Sequence, residues 1–220
     1  AVAHYPDNLS ATEGASIWMQ YLTAYGALID IGQLKEGDTV VITAASSTIG
    51  LAAIQITKAA GALAIATTRG AGKKQFLLDA GADEVVVTDE EDLVEKVMAS
   101  TSGKGADLIF DPVGGPLLET LADAAASGAT IFEYGALSPA PTIFPLFAAL
   151  KKGLVIRGYT LFEIVNDAER LAHGKQYIYD GLQSGALKPI IDRTFPLDAI
   201  VDAHQYMESN QQKGKIVVSV

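Results

Sequence analysis

Eight residues, Thr43-Ala44-Ala45-Ser46-Ser47-Thr48-Ile49-Gly50, lie between a β-branched apolar run and an amphipathic helical stripe, and they hold most of the chemistry legible in this chain. Three adjacent hydroxyls, on Ser46, Ser47 and Thr48, stand where a helix begins, beside backbone N–H groups that have no partner inside the helix. Anionic oxygens are the ligands such a place accepts. A strand–turn–helix cradle for a dinucleotide pyrophosphate carries glycines in the pattern G-x-G-x-x-G. Counted back from Gly50, the other two positions hold Ala45 and Ser47, so the match is loose. The physics still works: Gly50 allows close contact between helix and strand, and Ala45 is small enough for a tight turn. A plain helix cap built from Ser and Thr is the competing explanation.

The next strand end separates the two nicotinamide cofactors. A site for NAD places Asp or Glu about twenty residues beyond the first glycine, to accept hydrogen bonds from the ribose. Here the run ends Ala66-Thr67-Thr68-Arg69-Gly70 and the following helix opens with Lys73 and Lys74. A hydroxyl, a planar guanidinium fork and an ammonium suit a 2′-phosphate, which makes NADPH the expected cofactor.

The elements that must position these groups follow from hydrophobic rhythm. Apolar runs at 39–44, 62–67, 84–88, 106–110 and 129–134 recur about every twenty residues, the length of a right-handed crossover, and a sixth lies at 154–158. The first and third are almost continuous in Val and Ile, as strands buried on both faces require. Ile49, Ala52, Ile56 and Ala59 put one apolar stripe on the helix after the turn. Segments 73–80, 90–100 and 115–126 read as further helices, with Gly61, Gly81, Gly103 and Gly128 at C-terminal cap positions. The expected fold is α/β, a Rossmann-type doubly wound parallel sheet of six strands. A helix over 15–31 precedes it. After it come a helix over 165–184 with Leu171, Tyr177 and Leu182 inward, a strand over 189–194, a helix over 197–209 and a strand over 215–220, which need not join the same sheet.

Composition removes whole classes of function. Hydrophobic residues make up 49% and charged residues 19%, an ordinary globular balance. The net charge of −10 is the wrong sign for a chain that neutralises phosphates along a duplex, so no nucleic-acid partner is expected. No apolar run approaches the roughly 18–20 residues of a membrane span, so no membrane partner is expected either. There is no cysteine, which removes disulfides, thiolate catalysis and thiolate zinc sites and suits a reducing, cytoplasmic setting. The N-terminus, Ala1-Val2-Ala3-His4-Tyr5-Pro6, lacks the pattern of a signal peptide and reads as the middle of a longer protein with another domain before it.

Other candidates are weaker. His4, His173 and His204 have no metal-ligand spacing, and no Gly-x-Ser-x-Gly marks a hydrolase nucleophile. Thr101-Ser102-Gly103-Lys104-Gly105 lacks the first glycine and the Ser/Thr of a P-loop. No Tyr is followed four residues later by Lys, the pair used by short-chain dehydrogenases. Trp18 and Tyr21 read as core or interface rather than cofactor stacking.

Residues 39–61, with Asp111-Pro112-Val113-Gly114-Gly115, Gly214-Lys215-Ile216-Val217-Val218 and Leu22-Thr23-Ala24-Tyr25-Gly26, resemble the medium-chain dehydrogenase/reductase superfamily, in particular its NADPH:quinone oxidoreductase (zeta-crystallin-like) group. The likeness runs from Pro6 to Val220. It implies a dinucleotide-binding domain over 1–185 and a segment over 186–220 that returns to a GroES-like domain outside this chain, with strain or rearrangement expected in that tail. It places Thr23 near the nicotinamide, Ser46, Ser47, Thr48 and Ile49 at the pyrophosphate, Thr68, Arg69 and Lys73 at the 2′-phosphate, and Val113, Tyr134, Gly135, Ala136 and Leu137 along the nicotinamide. Ser47-Thr48 replaces a common Gly-Gly, and the added Cβ atoms narrow the approach to phosphate. The implied activity is hydride transfer from NADPH to a small-molecule substrate, a quinone, enone or other activated carbonyl, by a homodimer joined at the sheet edge near 143–158. No catalytic acid is assignable, and this part by itself is expected to turn over little. Zinc alcohol dehydrogenases of the superfamily have a ligand where Met19 stands, and a thioether cannot replace it. Zinc-dependent alcohol oxidation and a non-catalytic NADPH-binding module are the alternatives.

Overall fold

The computed structural model describes residues 3–220. Six parallel strands, β1 (Thr39–Ile42), β2 (Leu63–Thr68), β3 (Glu84–Val87), β4 (Ala106–Asp111), β5 (Ala125–Glu133) and β6 (Val155–Gly158), form one sheet in the order β3-β2-β1-β4-β5-β6. The chain therefore starts in the middle, winds to one edge, then returns and winds to the other. The reversal leaves a crevice at the carboxyl ends of β1 and β4, where ligands of this architecture bind.

Alternation along the strands sorts the core into two layers. Val40, Ile42, Ala64, Ala66, Leu108, Phe110 and Phe132 face one side, where they meet α2 (Trp18–Tyr25), α3 (Thr48–Ala59), α4 (Lys74–Asp79) and α9 (Ala168–Ser184). Val41, Ile65, Val86, Ile109 and Ile131 face the other, against α5 (Leu93–Ser100) and α6 (Leu117–Ala124). That period of two is the physical basis of the doubly wound sheet. Two short helices complete this body, α7 (Leu146–Lys152) and α8 (Phe162–Val165).

Several elements depart from expectation: β5 starts at Ala125 rather than 129, and α5 starts at Leu93 rather than 90 because Asp92 caps it through Glu95 N–H. The leading helix starts earlier, as α1 (Ala11–Ser16), because Ser10 and Glu13 form a capping box. It then breaks at Ile17 and ends as a π turn over Gly26–Ile31, where glycine at 26 leaves room for Tyr159 and Ile164. Gly128 caps no helix: α6 stops at Ala124, and Gly128, at φ 76°, serves the irregularity where β5 shifts register against β4. The helix expected over 165–184 begins only at Ala168, because Asp167 caps it through the N–H groups of Glu169 and Arg170. Its inward residues are Gly174, Ile178 and Leu182, with Leu171 and Tyr177 half-buried beside them.

The tail forms a separate parallel pair, β7 (Ile191–Pro196) and β8 (Lys215–Ser219), connected by α10 (Ile200–Glu208). Gln55 ties it to the main body: its Oε1 accepts from the Tyr21 hydroxyl at 2.8 Å and the Lys188 N–H at 2.9 Å, and its amide donates to the Lys188 carbonyl. Among the described residues no helix is long and apolar enough to cross a membrane.

Candidate nucleotide-binding site

The turn after β1 fills the crevice. Thr43 N–H donates to Phe110 O on β4 and Ala45 N–H to Thr67 O on β2, so the loop is pinned between the strands on either side of the reversal. Ala44 sits in the left-handed region at φ 45°, a conformation that costs a non-glycine residue about 1 kcal/mol and that recurs at ligand-binding turns. Ser47 is the N-cap of α3, its hydroxyl accepting from Gly50 N–H at 3.1 Å. A Cβ on Gly50 would lie 2.6 Å from the Cα and O of Ala45. The helix N-terminus is thereby held directly against the strand end, its leading N–H groups pointing at the crevice.

Ser46, Ser47, Thr48 and Ile49 are all half-buried in this turn. The other predicted residues arrive from neighbouring strand ends. Thr68 ends β2, with its hydroxyl on Gly70 O, Arg69 follows it exposed to solvent, and Lys73 reaches back so that its ammonium donates to Ser46 Oγ at 3.2 Å. Burial, together with the nearby charges of Lys213 and Arg69, holds the Lys73 pKa below its ordinary value. Lys74 points away, paired with Glu91 at 3.5 Å.

At the ends of β4 and β5, two loops lock together: Leu137 N–H donates to Pro112 O at 3.0 Å and Ser138 N–H to Val113 O at 2.9 Å. Gly135 is required there, since a Cβ would meet Pro112 O at 2.8 Å. Tyr134 stacks on Phe110, centroids 3.9 Å apart, and its buried hydroxyl, adjoining Ser47, has no hydrogen-bond partner. Desolvation pushes the Tyr134 pKa up, so it stays a neutral phenol. Val113 is half-buried, while Gly135, Ala136 and Leu137 are exposed along the open wall. Thr23 lies on α2, buried, with its hydroxyl committed to the Met19 carbonyl of its own helix at 2.6 Å.

Sequence reasoning missed a carboxyl pair below this floor. Asp111 and Glu133 are register partners at the ends of β4 and β5. Asp111 accepts from the Thr43 hydroxyl, from Val113 N–H at 3.1 Å and from Gly114 N–H at 2.7 Å, which ties the loop after β4 back to its strand end. Glu133 has one buried oxygen without a partner, and desolvation with the charge of Asp111 raises its pKa from 4.5 to about 8. It is therefore mostly neutral below that pH. The only signal in the sequence was two acids at the ends of apolar strands.

A dinucleotide suits these residues: glycine where backbone must approach backbone, free N–H groups at a helix start, a vacant phenol donor and cations at the end of β2. Zinc does not. No three His, Asp or Glu converge as metal donors among the described residues. At the position the resemblance gives to a zinc ligand, Met19 offers only a thioether, 63% exposed.

Comparison with known proteins agrees with this geometry. The profile of the family described as zinc-binding dehydrogenase matches residues 80–218. A highly reducing polyketide synthase of Aspergillus luteorubrus is 31% identical over 98% of this chain, which spans 7% of that protein's length. The crystal structure of the Escherichia coli quinone oxidoreductase complexed with NADPH superposes with a TM-score of 0.90 at 28% identity, over 99% of this chain and 68% of that one. A structure of an NAD-dependent alcohol dehydrogenase gives 0.89 at 33% identity, over 99% and 61%. The family profile, the strand order and the strand-end turn concur: the chain belongs to the zinc-binding dehydrogenase family, as a quinone oxidoreductase-like nucleotide-binding domain of the medium-chain dehydrogenase/reductase superfamily.

Proposed function

We propose that this chain is the NADPH-binding part of a zinc-independent reductase that delivers hydride to a quinone, an enone or another activated carbonyl. The observation that carries the cofactor assignment is the end of β2, where Thr68, Arg69 and Lys73 stand and no acid accepts from a ribose. The NADPH in the quinone oxidoreductase structure supports it. Bound NADPH supplies the hydride. The residues of the chain bind and orient: the start of α3 and Ser46 hold the pyrophosphate, Arg69 and Lys73 the 2′-phosphate, and Val113 and Leu137 form the apolar wall that keeps water from the nicotinamide face. Glu133 and Asp111 act from beneath, fixing the 112–115 loop rather than touching substrate.

Replacing Arg69 by Ala together with Lys73 by Met is expected to weaken NADPH binding at least about tenfold, since two charge-assisted contacts are lost, and to leave NADH unchanged. Calorimetric titration reads both. Reduction of a quinone or an α,β-unsaturated thioester by the protein with its neighbouring domain, followed by loss of NADPH absorbance, tests the reaction itself. Failure to consume NADPH with either acceptor class counts against a reductase and for a non-catalytic binding module.

A homodimer through the β6 edge is part of the proposal. Beside this unpaired edge lie Ile143, Phe144, Phe147, Leu150, Val155 and Phe162, all exposed, with Phe147 the most open at 85%. A sheet edge flanked by so much apolar surface needs a cover. Phe147→Asp is expected to convert dimer to monomer in analytical ultracentrifugation, and a wild type that sediments only as monomer removes the interface.

A further inference from the structure

The Lys73 ammonium has three protons, and all three are spent. One goes to Ser46 Oγ at 3.2 Å, one to the carbonyl of Asn210 at 2.9 Å and one to the carbonyl of Gln212 at 3.0 Å. The last two belong to the loop between α10 and β8, so a single side chain staples the phosphate turn to the tail across 137 residues of sequence. The loop is shaped for this contact at some cost. Asn210 lies in the left-handed region at φ 55°, Gly214 at φ 132° with Ile190 O 2.6 Å from where its Cβ would be, and the Gln212 side-chain oxygen is buried without a partner. The same loop brings Lys213, whose ammonium lies 5.9 Å from the Phe76 ring centroid, toward Lys73, on which Arg69 also acts. Asp192 is the carboxylate that acts on Lys73, and its own oxygen accepts from the Tyr206 hydroxyl at 2.8 Å. Three cations thus converge on a place where two neutral carbonyl oxygens occupy Lys73.

We infer that residues 209–214 are a strap that closes the 2′-phosphate subsite and is released by that phosphate, so that NADPH opens it and NADH leaves it closed. The inference rests on the NADPH reading above. A 2′-hydroxyl offers Lys73 one neutral acceptor in exchange for another and gains nothing by displacing a carbonyl. A phosphate offers charged oxygens, whose hydrogen bonds to an ammonium are roughly twice as strong, and it also relieves the repulsion among Lys73, Lys213 and Arg69. Only the phosphorylated nucleotide opens the strap.

The absence of cysteine makes the test clean. Gln211, exposed at the crest of the strap, is replaced by Cys and labelled with an environment-sensitive fluorophore, and binding is followed in parallel by calorimetry. NADPH and 2′,5′-ADP are expected to shift the label emission with the same midpoint as their binding heat, while NADH binds without a shift. Lys73→Met is expected to move the emission toward the open value with no nucleotide present, and to speed hydrogen exchange of the 210–214 amides but not those of β1. NADPH heat without a change in label emission overturns the strap and leaves the cofactor reading intact. An unchanged label and unchanged exchange in Lys73→Met also overturn it. If NADPH gives no heat at all, the cofactor reading fails and the gating role fails with it.

Discussion

Gly50→Ala is expected to destabilise the fold by about 3 kcal/mol and to weaken nucleotide binding more than tenfold. Two effects oppose each other at this position. Alanine in a helix is better than glycine by about 1 kcal/mol, which taken alone would stabilise α3. Against that, the new Cβ would stand 2.6 Å from Ala45 Cα and O, and those are backbone atoms of a turn held on both sides by strands, so no side chain can swing away. The clash wins, α3 is pushed off the end of β1, and its leading N–H groups leave the crevice. Gly72→Ala is the control. It has nothing within 4 Å of the added Cβ and lies on the surface, so it is expected to be neutral or slightly stabilising. Urea denaturation of the two variants beside wild type decides the point, and equal midpoints for all three would show that the close approach of α3 to β1 is not needed.

Glu133→Gln is expected to change the pH dependence of stability more than its value near pH 5. The pKa of Glu133 is raised on folding, from 4.5 to about 8, so the folded state holds the proton more tightly than the unfolded one. The contribution is complete below pH 4.5 and is lost as pH rises toward 8, beyond which it is flat. With allowance for the solvent that reaches this half-buried carboxyl and for the charge it shares with Asp111, the loss is about 1–2 kcal/mol. Glutamine imitates the protonated acid at every pH. The two proteins are therefore expected to match near pH 5, with the variant more stable by about 1–2 kcal/mol at pH 8.5. Parallel stability curves across this range would mean that Glu133 is ionised in the folded protein.

The sheet was legible because burial on both faces leaves Val and Ile runs that no surface element has, and because β–α spacing repeats. The turn was legible because small residues and hydroxyls are local: residues 43–50 lie next to one another in sequence and in space. Elements set by contacts across the molecule were not. Nothing local at Gly26 announces that Tyr159 and Ile164 will pack against it where the π turn begins, and Gly128 looks like a helix cap until the register shift of β5 against β4 is seen. The Ser10–Glu13 capping box is local, and it starts the first helix at Ala11, four residues before the apolar pattern alone would. The carboxyl pair depends on register, since one residue of slip would send Glu133 to the other face. The resemblance puts Lys73 at a 2′-phosphate, but its bonds to the loop at 210–212 join residues that no pattern in the sequence connects.

The central claim is that the end of β2 reads a 2′-phosphate, and parallel calorimetric titrations of the chain with NADPH and NADH at one fixed salt concentration test it most directly. The account predicts that NADPH binds at least about tenfold tighter, a difference of roughly 1.4 kcal/mol. Equal affinities, or tighter binding of NADH, would contradict it.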